Sequence, residues 1–467
     1  MKISILMTFG LALFLHQGYS QKNILREDAL LDMVRQYHPL SLQADMRIDM
    51  AEADVLKARA GFDPVLQAGT SEKELGNTTY YRYRQSEINI PTWYGIEVYT
   101  GIEQVGGLRT DPQETTGNSS YAGVSLSLLK GLLLDKRRAS LQQAKVLAKQ
   151  SETEKKVVLN HLLFEAAWHY WNWVSAYQRL KILNDAITVN ESRVQFTRSM
   201  VTFGERPAID TVEALVQLQS FEAQRNEMEL EYRKAALMLS AFTWNENGRP
   251  VDLMDDFIPD VSYSYADSMK YMTYTFLELR EQALQAHPEL KIYQHKYDFL
   301  MIEKKLMFQE LLPSLKVKYN QLGKNFDMIS TVNQSLLNQN YNYGISFSMP
   351  LRVSQGRAEF RKAGLKLKQN ELDLQLKIRQ IDTKVQAGYT GLQNLQKQID
   401  LMRNMLRNQT LLVQGEELRF QQGESTLFVL NSREQKKIET DLKLMEFVIK
   451  YYQQQAALMR DCGWMLK

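Results

Sequence analysis

The sequence predicts an internally duplicated α+β membrane protein, in which long α-helical coiled-coil hairpins combine with β-strands that contribute to a shared transmembrane β-barrel. Three observations predict this class. A stretch of 72 residues, 132–203, contains neither glycine nor proline. Several landmarks of the first half recur in the same order in the second half. Segments of alternating apolar and polar residues, with aromatic residues near their ends, precede both long helical regions.

The N-terminus predicts a signal peptide over residues 1–20. Lys2 gives a positive start, residues 3–15 form an apolar run, and Gly18 and Ser20 place small residues before a cleavage site at Gln21. No later segment reaches 18 uninterrupted apolar residues, as a helical membrane span would require. We therefore expect an exported protein that is either soluble outside the cytoplasm or a β-barrel in an outer membrane.

Two proline-bounded segments open the two halves. His38-Pro39 and His287-Pro288 are each followed, 25 residues later, by a second proline. Further on, Arg138-Ala139 and Gly204-Glu205 recur with an offset of 219 residues as Arg357-Ala358 and Gly423-Glu424. Apolar positions at 3.5-residue spacing keep the same offset, which is typical of helices packed as coiled coils. These matches predict a first structural repeat over 21–245, a linker over 246–286 and a second repeat over 287–467.

Glycine and proline set the predicted helix lengths. A helix from 135 to 201 would be about 100 Å long at 1.5 Å per residue. Each repeat should contain a proline-bounded helix and then a long helical hairpin whose turn is marked by glycine. The hairpins are predicted over 132–245 and 357–462, with tips at 203–207 and 420–426.

The linker is predicted to pack at the equator of this helical region. Its aromatic residues should cover the sequence Trp168-His169-Tyr170-Trp171, for which a ligand cage is the alternative interpretation. The linker aromatics are Phe257, Tyr263, Tyr265, Tyr271, Tyr274 and Phe276.

Barrel strands are predicted within 64–129 and 313–351. Four outer strands are expected at 65–72, 119–129, 314–322 and 341–351. An additional hairpin over 80–90 and 93–104 leaves the number of strands per chain at four or six. Because about eight strands are needed to close a barrel, several chains would have to share one.

Composition argues against other functional classes. The net charge of +3 shows no basic excess for nucleic acid binding. The one cysteine, Cys462, is expected to be a small buried hydrophobic residue. No histidine pair has the spacing of metal ligands on a helix, and no phosphate-binding or nucleophile motif occurs. We therefore expect no enzyme, no cofactor, and no catalytic, cofactor-binding or metal-binding residues.

The duplicated plan resembles the TolC family of outer-membrane efflux proteins over residues 25–464. The most family-like stretches are 203–211, Phe-Gly-Glu-Arg-Pro-Ala-Ile-Asp-Thr, and 62–64, Phe-Asp-Pro. The resemblance implies a homotrimer in the outer membrane of a Gram-negative bacterium, with four strands per chain in a twelve-stranded barrel and a large helical tunnel in the periplasm. Such a channel passively conducts substrates from a periplasmic adaptor (membrane-fusion) protein and an inner-membrane transporter to the exterior, in tripartite efflux or type I secretion. The cargo, whether drug, metal or polypeptide, and the gating of the entrance stay open.

By the same resemblance, the hairpin tips dock the adaptor. The matching residues are Gly204, Glu205, Arg206, Pro207, Gly423, Glu424, Ser425 and Thr426. Asp210 is the candidate entrance carboxylate, and the alternative is that it stabilises the first turn of its helix. At two positions where the family often carries aspartate, Val429 and Ser432 are uncharged. A soluble periplasmic coiled-coil scaffold or adaptor protein is the alternative function.

Overall fold

The computed structural model describes residues 23–111, 115–253, 257–262, 271–327, 331 and 340–465. The predicted signal peptide lies outside these residues. The helices are α1 (Glu27–Tyr37), α2 (Pro39–Arg59), α3 (Lys136–Thr202), α4 (Ile209–Ser240), α5 (Phe276–Ala286), α6 (Pro288–Gln309), α7 (Ser354–Gln421) and α8 (Leu427–Asp461). Among the helices of the described residues, none combines the length and the hydropathy that crossing a lipid bilayer requires.

The four long helices begin and end close to the predicted glycine and proline boundaries. α3 has 67 residues and α7 has 68. α7 also contains interior glycines, which allow close helix packing. A Cβ at Gly388 would lie 3.2 Å from the Leu458 side chain of α8, and one at Gly391 would lie 3.6 Å from Gln454.

A pair of short helices was not predicted. α1 and α5 each have 11 residues, and each ends immediately before a His-Pro pair. Residues 276–286, within the predicted linker, form the counterpart of α1. A Thr275–Glu278 capping box begins α5, in which each side chain accepts a hydrogen bond from the backbone N–H of the other residue.

Two compact units divide the chain. The first contains residues up to His38, Glu165–Tyr271 and Asn394–Gln453; the second contains Pro39–Phe164, Met272–Gln393 and the chain from Gln454 onward. Each unit draws segments from both halves of the sequence, so the units do not coincide with the two sequence repeats.

The first unit holds α1, α4, the later part of α3 and α7, and most of α8. Two apolar clusters form its core, one around Phe221 and one around Phe420. A short strand β1 (Asn23–Leu25) pairs in parallel with β6 (Phe257–Pro259).

Two aromatic residues of α3 in the first unit hydrogen-bond the N-terminal segment, whereas Trp173 and Tyr177 contact Tyr232 of α4. The Tyr170 hydroxyl donates to the Leu25 carbonyl at 3.1 Å, and the Trp171 indole N–H donates to Glu27 at 3.0 Å. Trp171 also stacks on Tyr452 with ring centroids 4.1 Å apart. Of the predicted linker aromatics, Tyr271 contacts Tyr451 of α8, whereas Tyr263 and Tyr265 lie outside the described residues.

The second unit contains one antiparallel sheet of six strands in the order β2-β3-β4-β5-β7-β8. The strands are β2 (Val65–Leu75), β3 (Thr78–Pro91), β4 (Ile96–Gly106), β5 (Gly117–Ser127), β7 (Ser314–Lys324) and β8 (Tyr341–Ser348). The additional hairpin therefore belongs to the sheet. The two sequence halves join where β5 pairs with β7.

Candidate functional site

The two hairpin tips have the same backbone structure. After α3, the Glu205 N–H donates to the Met200 carbonyl at 2.9 Å and the Gly204 N–H to the Val201 carbonyl at 3.0 Å. After α7, the Glu424 N–H donates to Arg419 at 2.9 Å and the Gly423 N–H to Phe420 at 3.1 Å, again with the offset of 219.

This pair of hydrogen bonds is the Schellman motif, which ends a helix on a residue with positive φ. Gly204 has φ +77° and Gly423 has φ +80°. Each glycine therefore occupies the position for which other residues are strained. The sequence signal for the tips was this glycine.

The side chains of the tips differ. The Arg206 guanidinium donates to the Phe420 carbonyl at 2.7 Å and to the Ser425 carbonyl at 3.2 Å, and it lies 4.3 Å from the centre of the Phe420 ring. Arg206 of the first tip thus binds the backbone of the second. Its counterpart by position, Ser425, donates instead to Glu416 at 2.5 Å.

The other predicted tip residues are at the surface. Exposed residues are Gly204, Glu205, Pro207, Gly423, Glu424 and Thr426. Two large apolar residues beside them, Phe203 and Phe428, are 77% and 71% exposed. Neither was among the predicted docking residues, although Phe203 lies within the tip predicted at 203–207 and both are aromatic residues beside a polar turn.

Asp210 lies in the first turn of α4 and forms an ion pair with Arg206 at 3.9 Å, where both side chains are about 15% exposed. Beside it, burial, together with the charge of Asp210, raises the pKa of Glu213, although a hydrogen bond with Asn431 acts in the opposite direction. Asp210 therefore belongs to an electrostatic network with both the first tip and α8.

Further along the same helices lies a buried ion pair. Arg193 of α3 and Glu434 of α8 form two hydrogen bonds, one of them 3.2 Å long. Asn190 also donates to Glu434 at 3.1 Å and accepts from Arg193 at 3.2 Å. All three residues are less than 9% exposed. The sequence did not indicate that these three residues of two distant helices would meet.

The sheet of the second unit has two chemically different faces. One face carries many polar side chains. They are Gln67, Ser71, Gln85, Glu87, Glu97, Glu103, Ser119, Ser125, Lys316, Lys318 and Asn320. The opposite face carries large apolar residues that are between 37% and 71% exposed: Leu66, Ile88, Ile90, Val98, Val124, Tyr343, Ile345 and Phe347. On β2 and β3 this face also carries the charged residues Glu72, Arg82 and Arg84. Apolar residues exposed in a continuous set of this kind indicate an interaction with lipid or protein.

Two tyrosines cross the polar face above glycines. The Tyr121 hydroxyl of β5 donates to Glu87 at 2.7 Å and accepts from Gln85 at 2.5 Å, and both partners lie on β3. The ring passes over Gly101 of β4, where a Cβ would lie 2.7 Å from it. In the same way, Tyr99 of β4 crosses Gly123 of β5 and donates to Asn320 of β7.

Side chains of next-but-one strands thus meet on the polar face, as they do on the inner face of a curved sheet. The polar face is called the concave face below, and the opposite face is called the convex face.

His161, His287 and Cys462 take part in contacts within the fold. Hydrogen bonds from His161 and Lys377 lower the pKa of Glu289 to about 2. His287 accepts from the Glu289 N–H at 3.1 Å. Cys462 is 1% exposed, and burial raises its pKa to about 12. Within the described ranges, no group of three histidine, cysteine or acidic residues could hold a metal ion.

Comparison by sequence finds no match, either to a family model or to a curated protein. Comparison by structure does. CusC, whose crystal structures concern folding and transmembrane channel formation, superimposes with a TM-score of 0.67 and 15% identity over 97% of this chain and 95% of CusC. The outer membrane channel CmeC of Campylobacter jejuni gives 0.63 and 14% over 94% and 85% of the two chains.

The open state of the Neisseria gonorrhoeae outer membrane channel MtrE gives a TM-score of 0.64 and 14% identity over 95% of this chain and 90% of that channel. At these identities the shared property is the fold. It extends over nearly the whole chain and contains both the long helices and the antiparallel sheet. The chain therefore has the fold of outer-membrane channels, and the fold predicted from the resemblance to the TolC family is confirmed.

Proposed function

We propose that this chain is a TolC-family channel of the outer membrane of a Gram-negative bacterium, exported by the signal peptide over 1–20, with a large periplasmic portion. Three copies form the exit duct of a tripartite efflux or type I secretion system. The duct passively conducts substrates that reach it from a periplasmic adaptor protein and an inner-membrane transporter. The observation that carries this proposal is the six-stranded sheet, which has one polar face, an opposite face with a group of exposed apolar residues, and two open edges.

The two faces suit a wall between lipid and water. Membrane barrels alternate apolar residues that face lipid with polar residues that face the lumen. The convex residues Ile345 and Phe347 are 65% and 64% exposed, whereas Glu87 and Lys318 lie on the concave side. One copy cannot form the whole barrel, because six strands are fewer than the smallest closed barrel needs.

Exposed apolar stripes in the first unit support assembly with further copies. On α4 the stripe comprises Ile209, Val212, Val216, Leu230 and Leu237, which are 52% to 66% exposed. On α7 it comprises Leu401, Met405, Leu411, Leu412 and Leu418, which are 44% to 66% exposed.

The duplication indicates what covers these stripes. Within one chain, α3 contacts α8 through Arg193 and Glu434. The offset of 219 maps these residues onto Leu412 of α7 and Leu215 of α4. The equivalent contact then joins α7 of one copy to α4 of the next, which would bury the stripe of α7 that contains Leu412.

The tips are the proposed docking surface for the adaptor. They present exposed backbone at Gly204 and Gly423, together with the apolar side chains of Phe203 and Phe428. Asp210 is the proposed entrance carboxylate. Replacing it by Asn should lower the cation selectivity of single channels in a planar bilayer. Unchanged selectivity would leave Asp210 only as the partner of Arg206.

Membrane fractionation, followed by light scattering of the detergent-solubilised protein, tests the proposal. The expected particle comes from the outer membrane, requires detergent and contains three chains. Reconstitution of this particle should then give stable single-channel conductance. A monomer or dimer that stays in solution without detergent would contradict the proposal and favour the soluble scaffold or adaptor protein.

A further inference from the structure

We propose that the barrel shared by three copies contains eighteen strands, in which β8 of each copy pairs with β2 of the next. This inference rests on the proposed function and differs from the twelve strands that the family resemblance implies. In a twelve-stranded barrel each copy would contribute only β4, β5, β7 and β8. The hairpin of β2 and β3 would then lie outside the wall.

The first step is the hydrogen-bonded ladder. β2 pairs with β3 over 11 residue pairs, from Val65 with Asn89 to Leu75 with Thr78. β3 pairs with β4 over 10, from Arg82 with Gly106 to Pro91 with Glu97. Strands of this length can cross the apolar part of a membrane, which takes about 9–11 residues. β2 and β3 are thus as complete as the strands of the other four positions.

The second step is the pattern of faces. The convex side of β2 and β3 carries Leu66, Ile88 and Ile90 near the helices, in line with Val98 of β4 and Val124 of β5. Farther from the helices the same side carries Glu72, Arg82 and Arg84, and Glu72 pairs with Arg82. Their concave side is polar, as on the other four strands. In the half of the sheet nearer the helices, β2 and β3 therefore continue both the apolar and the polar surface in register.

The third step is the bridging by tyrosines. Tyr121 reaches across β4 to hydrogen-bond Glu87 and Gln85 on β3. These contacts tie β3 to β5, so β3 cannot leave the sheet without breaking them. Buried polar groups in a site shielded from water lose about 1–3 kcal/mol each when they are left without a partner.

The fourth step is the attachment of β3 and β4 to the helices. The turn between them, residues 92–95, lies at the helical end of the sheet, since Trp93 stacks on Phe62 with ring centroids 4.1 Å apart. Glu97, which follows the turn, forms an ion pair with Arg137 of α3 at 2.8 Å. At the opposite end, β2 and β3 join through the two-residue turn Gly76-Asn77, where both residues have positive φ. The hairpin therefore spans the same height as its neighbours.

The last step concerns the edges. Every residue of β2 and of β8 is exposed, and no strand of the described chain pairs with their outer sides. In lipid, unpaired backbone groups cost several kcal/mol each, so each edge needs a partner. With six strands, β2 and β8 run in opposite directions, so a second copy can continue the antiparallel ladder without changing the faces.

The consequence is a wider exit. Barrel diameter grows roughly linearly with strand number, so eighteen strands give a diameter about 1.5 times that of twelve. Barrels with 16–18 strands leave an aqueous channel.

Disulfide trapping tests the strand pairing. Gly69 of β2 and Gly344 of β8 both place their side-chain position on the concave face, and a Cβ at either would meet no atom within 4 Å. The variants combine Gly344→Cys with Gln67→Cys, Gly69→Cys or Ser71→Cys, which covers the registers around Gly69. Matched controls combine Gly344→Cys with Glu97→Cys or Glu103→Cys of β4. The native Cys462 is buried, so it should not react.

After oxidation in the outer membrane, we expect at least one β2–β8 pair to give covalent dimers and trimers, while the β4–β8 controls stay monomeric on a denaturing gel. Within one chain, β2 and β8 are about 24 Å apart at 4.8 Å per strand, so a disulfide would have to join two copies. Cross-linking of β4 with β8 in an intact trimer would overturn the eighteen strands and leave the proposed function in place. A trimer with no cross-link at any pair would also overturn the pairing. Absence of a trimer in light scattering would overturn the proposed function itself.

Discussion

The two hairpin tips share a backbone and differ in side chains. Gly204 and Gly423 end their helices with the same two hydrogen bonds at the same offset of 219. Yet the first tip carries Arg206, which binds two carbonyls of the second tip. The equivalent position in the second tip carries Ser425. Duplication has therefore kept what the turn requires from the backbone, while the side chains have diverged.

The same contrast continues into the helices. In the contact of α3 with α8, a buried Arg193–Glu434 pair is held by Asn190. The equivalent positions in α7 and α4 carry Leu412 and Leu215. Positions that carry a buried ion pair in one half of the chain thus carry leucines in the other half.

The largest effect is expected at the shared feature of the tips. Gly204→Val combined with Gly423→Val should abolish transport while leaving the trimer intact, because a β-branched residue with positive φ strains each turn. Transport would be measured as cellular accumulation of drugs and metals and as secretion of polypeptides, each against a strain without the channel, and the trimer would be measured by light scattering. Gly415→Val is the control, since Gly415 lies inside α7 and its Cβ would meet no atom within 4 Å. Retained transport in the double variant would remove the tips from the docking model.

The buried ion pair should give the next largest effect. Glu434→Leu leaves Arg193 buried without its partner, which should lower the free energy of unfolding by about 3–5 kcal/mol. Adding Arg193→Leu removes the unpaired buried charge and places leucine at both positions, as in the other half, so it should restore most of the lost free energy of unfolding. Thermal denaturation in detergent measures both. Glu229→Leu is the control, because its pair with Arg233 is exposed and contributes about 0–1 kcal/mol. Equal losses in the single and double variants would contradict the interpretation.

The asymmetry between the tips predicts a smaller difference. Arg206→Ala removes two hydrogen bonds to the second tip and the ion pair with Asp210. Ser425→Ala removes only its bond to Glu416. Limited proteolysis around residues 203–207 and 422–426 should therefore accelerate more in the arginine variant. If the two variants were cleaved equally fast, Arg206 would not be what holds the tips together.

The smallest effect concerns pH and the N-terminal segment of the first unit. Burial raises the pKa of Glu27 to about 7, although the hydrogen bond from Trp171 acts in the opposite direction. The folded protein prefers the neutral carboxyl, so its contribution to stability is complete below the usual pKa of about 4.5 and is lost as pH rises through about 7.

We expect the free energy of unfolding to fall by on the order of 2 kcal/mol between pH 5 and pH 8 through this group. Glu27→Gln should lack this component of the pH dependence. Melting curves of both proteins across this range provide the measurement, and identical slopes would show that Glu27 is not responsible.

Local signals in the sequence were sufficient for the long helices, the tips and the six strand segments. Glycine, proline and alternation act through neighbouring residues, so a single chain displays them directly. α1 and α5 are short, and their apolar faces are less evident, although the capping box at Thr275 was a readable signal.

The partners of Asn190 and Arg206 could not be predicted, because Glu434 and Phe420 lie more than 200 residues away along the chain. The pairing of polar side chains from different helices depends on how α3, α7 and α8 pack against one another. The same holds for Trp171 and Glu27, where the aromatic pattern was visible but the covering segment was not.

The tyrosine bridges over glycine have a consequence for how such a barrel could be made. They join β3 to β5 and β4 to β7 within one chain, so most of the sheet can form before a second copy binds. Only the two edge strands, β2 and β8, need a partner strand from another copy. In the proposed trimer, assembly then consists of pairing β8 of each copy with β2 of the next, and we expect this step to depend on protein concentration.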